Sequence, residues 1–269
     1  MRLLSIHHGR ASLPWFELLF ALLGTGVVLF IVAPLVGMFA ATSFSEVTQA
    51  MAENEVRDSI RLTLLAALAA TAVCCVGGIP LAWLLAHKRF FGRSLLIAVL
   101  DLPIIIPHSA AGIALLTLIG RKSFLGSWGG GLVGTSAGIA VAMAFVSLPF
   151  LLNAAHEAFA AVPERLERAA RTLGATPSRV FFTISLPMAW RGVLAGMILM
   201  WARGISEFGA VIIIAYHPMT TPVLVFQRFN DYGLAYARSV AVLLIVICVA
   251  FFVVLRLLLA GRRREDGRA

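Results

Sequence analysis

The sequence predicts an all-α, polytopic membrane protein with six transmembrane helices. Three observations predict it. Apolar residues make up 60% of the 269-residue chain and charged residues only 13%, with a mean hydropathy of +0.94. That is too little charge to wet the surface of a soluble domain of this length. The apolar residues gather into six long runs, each reaching the roughly 20 residues that cross a bilayer at about 1.5 Å per residue. Most of the charged residues fall between these runs, in segments alternately rich and poor in Arg and Lys.

The first run, 15–41, follows Arg2 and Arg10 and ends near Phe39-Ala40-Ala41, the pattern of a cleavable leader. It is too long for a signal-peptide core of about 7–15 residues, so a retained span is expected. The others are 59–86, 94–120, 133–156, 187–215 and 237–260. Pro103 and Pro107 are expected to break the third span near its middle, freeing backbone groups that must be satisfied inside a bundle. The organisation expected is an N-terminal part, 1–58, with the first span and an external loop. A five-helix core, 59–260, follows, then a basic tail, 261–269.

Orientation follows from the basic residues. One set of connections holds Arg2, Arg10, Lys88, Arg89, Arg93, Arg165, Arg168, Arg171, Arg179 and Arg262 to Arg264, with Arg268. The other holds Arg57, Arg121, Lys122 and Arg228 among Glu46, Glu53, Glu55, Asp58 and Asp231. The richer set is expected to be cytoplasmic, which puts both termini inside. The formal charge of +9, from 22 basic against 13 acidic residues, is therefore read as topology and lipid contact, not nucleic-acid binding. Cys74, Cys75 and Cys248 lie inside apolar runs without metal-ligand spacing, and neither a metal site nor a cofactor is expected.

One internal stretch is patterned rather than merely polar. Pro163 suits the first position of a helix and Glu164 its positive end. Leu166, Ala169, Ala170 and Leu173 then share one face, while Glu164, Arg165, Glu167, Arg168 and Arg171 take the other. Gly174 sits where a left-handed residue would stop the helix. Thr176-Pro177 starts a second helix at once, and Pro187 is expected to mark entry to the fifth span.

These residues resemble the signature loop of the permease subunits of ABC importers, EAA-x3-G-x9-I-x-LP. Ala169, Ala170, Gly174, Ile184, Leu186 and Pro187 stand at the matching positions. The signature glutamate falls on Arg168, with Glu167 one place early. The resemblance implies the permease fold of a type I importer and makes the segment near 163–174 a coupling helix that docks on a dimeric cytoplasmic ABC ATPase. It also implies an extracytoplasmic binding protein and a second copy of the chain. The run Gly129 to Ser136 has glycines near phosphate-loop spacing but no lysine, so ATP hydrolysis is assigned to the partner. Two stretches, 102–116 and 204–237, are similar to those of tungstate/molybdate permeases, which implies a tetrahedral oxyanion as cargo. Sulfate permeases share the general pattern and supply the alternative.

In the fifth span, Gly192, Gly196, Arg203 and Glu207 fall within an arc of roughly 60°. A glycine packing stripe ending in a charge pair reads either as a helix lock or as positive potential along an anion path. His108 and Ser109 beside the third-span prolines are further candidates for the path or for packing, whereas Asp101 would repel an anion unless a base neutralised it. An intramembrane serine protease using Ser206 and His108 is the reading from another class, but no G-x-S-x-G elbow is present, because Phe208 replaces the second glycine. A passive channel would have no use for a cytoplasmic docking helix.

Overall fold

Helix-forming runs, cut by Pro and Gly and capped by Ser and Thr, generate every regular element among the described residues. The computed structural model describes residues 15–123, 126 and 131–265. The basic positions Arg2, Arg10 and Arg268 and the start of the glycine-rich run at Gly129 lie outside them. The membrane-length helices are α1 (Trp15–Ala40), α3 (Asn54–His87), α6 (Ser136–Ala160), the unit ending in α9 (Leu186–Ile205) and α12 (Leu234–Glu265). Shorter ones are α2 (Phe44–Ala52), α4 (Arg93–Ile105), α5 (His108–Ile119), α7 (Glu164–Thr172), α8 (Pro177–Val180), α10 (Gly209–Ile214) and α11 (Thr221–Tyr232).

The centre is made by α3, α6 and α9, and small residues let them approach. A Cβ on Gly192 would lie 2.3 Å from Ala158 Cβ, and one on Gly196 would lie 3.0 Å from Ala154 Cβ. Gly204 meets Ala67 and Gly78 meets Leu151 in the same way. Lipid tails are as apolar as Leu, so helices in a bilayer associate through such close packing rather than through a hydrophobic drive. By contrast, α1 contributes no buried residue.

Two of the expected spans are built differently. The third is not one kinked helix but two, α4 and α5, bent by 112°. Pro103 is accommodated inside α4, and the break falls at Ile106-Pro107, where Pro107 supplies the N-cap position of α5. The fifth does not begin at Pro187. Its helix starts at Pro177, passes through a π turn at Phe181–Ser185, and stops at Ile205. Pro187 has no N–H for the ladder, and the wider turn just before it shifts the bonding, Leu186 N–H reaching Phe181 O. Residues 206–208 then break the chain before α10.

The connections between α1 and α3 and between α10 and α12 are largely helical. Ser43 and Glu46 form a reciprocal capping box on α2, with N–O distances of 3.2 and 2.7 Å. Thr63 Oγ1 on α3 accepts from Thr221 N–H at 2.8 Å and so satisfies the buried start of α11. Arg228 on α11, 7% exposed, pairs with Glu53 and Glu55 at the α2–α3 junction. Burial works against its charge, but hydrogen bonds and attraction from the two carboxylates outweigh that and hold its pKa above the ordinary guanidinium value.

Candidate functional site

The segment after α6 turns twice within a few residues. Leu173 ends α7, and Gly174 follows at φ +85°. Gly174 N–H donates to Arg171 O and Ala175 N–H to Ala170 O, both at 3.0 Å, which closes the helix end with its carbonyls satisfied. Thr176 Oγ1 accepts from Arg179 N–H and starts α8. Local chemistry thus produces the expected helix, turn and helix.

The wheel, however, does not show which residue of α7 turns inward: among its charged residues Glu167 alone is buried, while Glu164, Arg165, Arg168 and Arg171 are exposed. Glu167 is 1% exposed, whereas Leu173 is 89% exposed and Leu166 and Ala169 also face outward. Distant partners draw Glu167 inward. Ser185 Oγ, at the end of the π turn, donates to Glu167 Oε1. His87 Nε2, at the end of α3, lies 3.0 Å from the same oxygen, and Arg171 is 3.9 Å from the other. His87 Nδ1 also hydrogen-bonds Trp83 O, at 2.9 Å. Trp83 stacks on His87 and meets Phe181 edge-on, which holds the imidazole in place. A buried carboxylate is tolerable only when paired and hydrogen-bonded. Arg168, at the signature-glutamate position, instead lies in the open and faces Glu164 at 3.5 Å. Ile184 and Leu186 are half-buried and Pro187 is exposed.

A second constellation forms where the two broken spans meet. Glu207 is fully buried. Its Oε1 accepts from Ala210 N–H at 2.9 Å and its Oε2 from His108 Nδ1 at 2.7 Å, with Arg203 Nη2 3.1 Å away. Arg203 Nη2 is also 2.9 Å from both ring nitrogens of His108. Two equal distances cannot both be in-plane hydrogen bonds, so Arg203 Nη2 lies out of the imidazole plane. Glu207 lies beyond the C-cap of α9, not on its helical stripe, so the pair bridges a helix end rather than a helix face. Two glycines allow this meeting: a Cβ on Gly209 would lie 2.7 Å from His108 Cβ, and one on Gly112 would lie 3.0 Å from Ala210 Cα.

Gly192 and Gly196 pack on α6, away from this cluster, and Ser109 is exposed. Asp101 accepts from Asn153 Nδ2 at 2.9 Å. Ser206 Oγ donates to Arg203 O at 3.0 Å and accepts from Arg203 Nη1 at 3.3 Å. Among the described residues no hydrogen bond joins it to His108, so the nucleophile–base pair of a protease is not formed. Sequence reasoning missed His87 and Ser185, which stand 80 and 18 residues from Glu167 and carry no local motif.

The family described as binding-protein-dependent transport system inner membrane component matches residues 78–264. The chain belongs to that family. This permease is 43% identical over 243 residues to the molybdate/tungstate transport system permease protein WtpB of Pyrococcus abyssi, covering 90% of this chain and 94% of that one. It is 33% identical over 218 residues to the sulfate transport system permease protein CysW of Synechocystis, covering 78% and 79%. A bacterial ABC transporter involved in alginate import shares the permease's fold, with a TM-score of 0.69 at 16% identity over 92% of this chain and 96% of that one. The permease is therefore a multi-pass membrane subunit of a transport system whose family works with an ATPase and a substrate-binding protein.

Proposed function

We propose that two copies of this permease form the membrane path of an ATP-driven importer for a tetrahedral oxyanion, tungstate or molybdate. The exposed apolar stripe of α7 carries the reading. A helix anchored from behind by Glu167, with Leu166, Ala169 and Leu173 turned outward at the arginine-rich end of the bundle, is built to seat on a partner. The partner is a dimeric cytoplasmic ABC ATPase, and Glu167, Arg168, Ala169, Ala170, Gly174, Ile184, Leu186 and Pro187 form the element that couples it to the spans. Nucleotide-driven closure pushes on α7, and the motion reaches α3 through His87 and α9 through Ser185.

An extracytoplasmic binding protein delivers the anion to the outer surface made by α2, α11 and their connections. The bilayer is the cytoplasmic membrane, with both termini inside, as the distribution of Arg and Lys supports. The 43% identity to a permease named for molybdate and tungstate supports that cargo over sulfate, for which the quoted relative reaches 33%.

Radiolabelled uptake in proteoliposomes containing the permease, its ATPase and its binding protein tests the reading, with tungstate, molybdate and sulfate in competition. ATP-dependent accumulation, displaced by unlabelled tungstate or molybdate before sulfate, is the expected result. Accumulation without ATP would return the chain to the class of passive channels.

A further inference from the structure

We propose that Arg203 and His108 are the contact a tetrahedral oxyanion dianion makes within the membrane, with Glu207 sealed behind them as counter-charge. The proposal rests on the reading of the chain as an oxyanion importer.

Ionisable side chains in a bilayer face a partner or a water-filled space. These three divide unequally between the two. The Glu207 side chain is 0% exposed, Arg203 is 22% exposed and His108 is 38% exposed. An exposed ion pair contributes little to a helix lock, and a buried one must repay the desolvation of both charges. Here the acid is closed off and the two basic groups stay partly exposed where the broken spans meet.

Both oxygens of Glu207 are already engaged, by Ala210, His108 and Arg203, so the carboxylate is held away from an arriving anion. The guanidinium keeps capacity in reserve. It has five N–H donors, more than Glu207 and Ser206 take up, and its planar fork matches two oxygens of a tetrahedral anion. The break at Pro107 adds to the same field. It sets the start of α5 at His108, and no side chain caps that helix end.

The charge balance suits passage rather than capture. Arg203 and Glu207 cancel, so a dianion meets directed donors without a net positive well. Tight binding would slow release, and it belongs to the external binding protein. Position supports the same role, because the contact joins α5 to the end of α9, the helix whose far end carries Ser185 and hence α7. A movement begun at α7 is delivered to the residues that touch the anion.

The test uses labelled tungstate and the complete reconstituted transporter. Exposed Ser206 lies beside Arg203 and can be changed without disturbing the buried carboxylate. Ser206→Asp places a negative charge at the contact, and uptake should fall at least about tenfold below that of the near-isosteric Ser206→Asn. A helix lock predicts no such gap, because Asp gives Arg203 one more partner. In the second arm, Arg203→Gln alone strands Glu207, whereas Arg203→Gln with Glu207→Gln removes both charges.

If the pair only packs helices, the double variant regains uptake; if it contacts the anion, the double variant assembles with the ATPase but uptake stays at least about tenfold down. Equal rates for Ser206→Asp and Ser206→Asn, or recovery in the double variant, would overturn the proposal. Failure of the unmodified transporter to accumulate tungstate, molybdate or sulfate would instead bring down the importer reading, and this one with it.

Discussion

Glu167 shows how much one side chain can decide. Its carboxylate joins three elements, because His87 ends α3, Ser185 ends the π turn and Glu167 itself lies in α7. Glu167→Ala removes the shared acceptor and should lower oxyanion uptake per ATP hydrolysed by about tenfold. Glu167→Gln keeps an acceptor for Ser185 and should lose less. Uptake and phosphate release measured in the same proteoliposomes give the ratio. Thr63 on α3 is a second such case. Thr63→Val keeps the shape but strands Thr221 N–H, at a cost of about 1–3 kcal/mol read from thermal unfolding in detergent. Periodicity in the sequence shows which residues of α7 share a face. It cannot show which face looks inward, because that depends on His87, which is brought in by the fold.

At the scale of elements, the ends of helices were more legible than their directions. Gly174, Thr176 and Pro177 announce a stop and a restart, and the residues do just that. Gly174→Val meets no neighbour within 4 Å, so its cost comes from φ +85° alone, roughly 1–2 kcal/mol. The resulting distortion of α7 should weaken co-purification of the ATPase, and Gly174→Asn, which tolerates that φ, should restore it. Leu173→Asp should abolish co-purification while leaving the thermal midpoint unchanged, since the side chain is exposed, away from the core, on the stripe proposed to seat on the ATPase. Gly192→Ala acts in the opposite way. It forces α6 and α9 apart at Ala158, and about 1–3 kcal/mol of stability should be lost with α7 intact. The prolines of the third span foretold a break, but not a 112° turn, because Pro fixes a local φ and the angle is set by α5 packing on α10 through Gly112 and Gly209.

Across the whole molecule, composition and charge distribution were enough for an all-helical membrane bundle, since twenty apolar residues in a row have few other uses. They were not enough for its interior. The fifth apolar segment runs unbroken through 187–215, yet the chain leaves the helix at Ser206 because Glu207 is drawn to His108 and Ala210. The bundle is also unevenly knit. No residue of α1 is buried, so a chain lacking residues 15–40 should retain its thermal midpoint within a few degrees in detergent. Glu53→Gln with Glu55→Gln strands the buried Arg228 instead, and should cost about 3–5 kcal/mol in the same measurement.

The π turn at Phe181–Ser185 sets the phase of a long rod. From Pro177 to Ile205 the chain is one continuous helix carrying a residue more than an α ladder would hold, so the two ends are clocked relative to each other by about 100°. Excising Thr183 would let the ladder close as ordinary α-helix. With Glu167 still gripping Ser185, the upper half would be wrung round until Arg203 pointed away from His108. The transporter would then still hold its ATPase and burn nucleotide, but would carry nothing across.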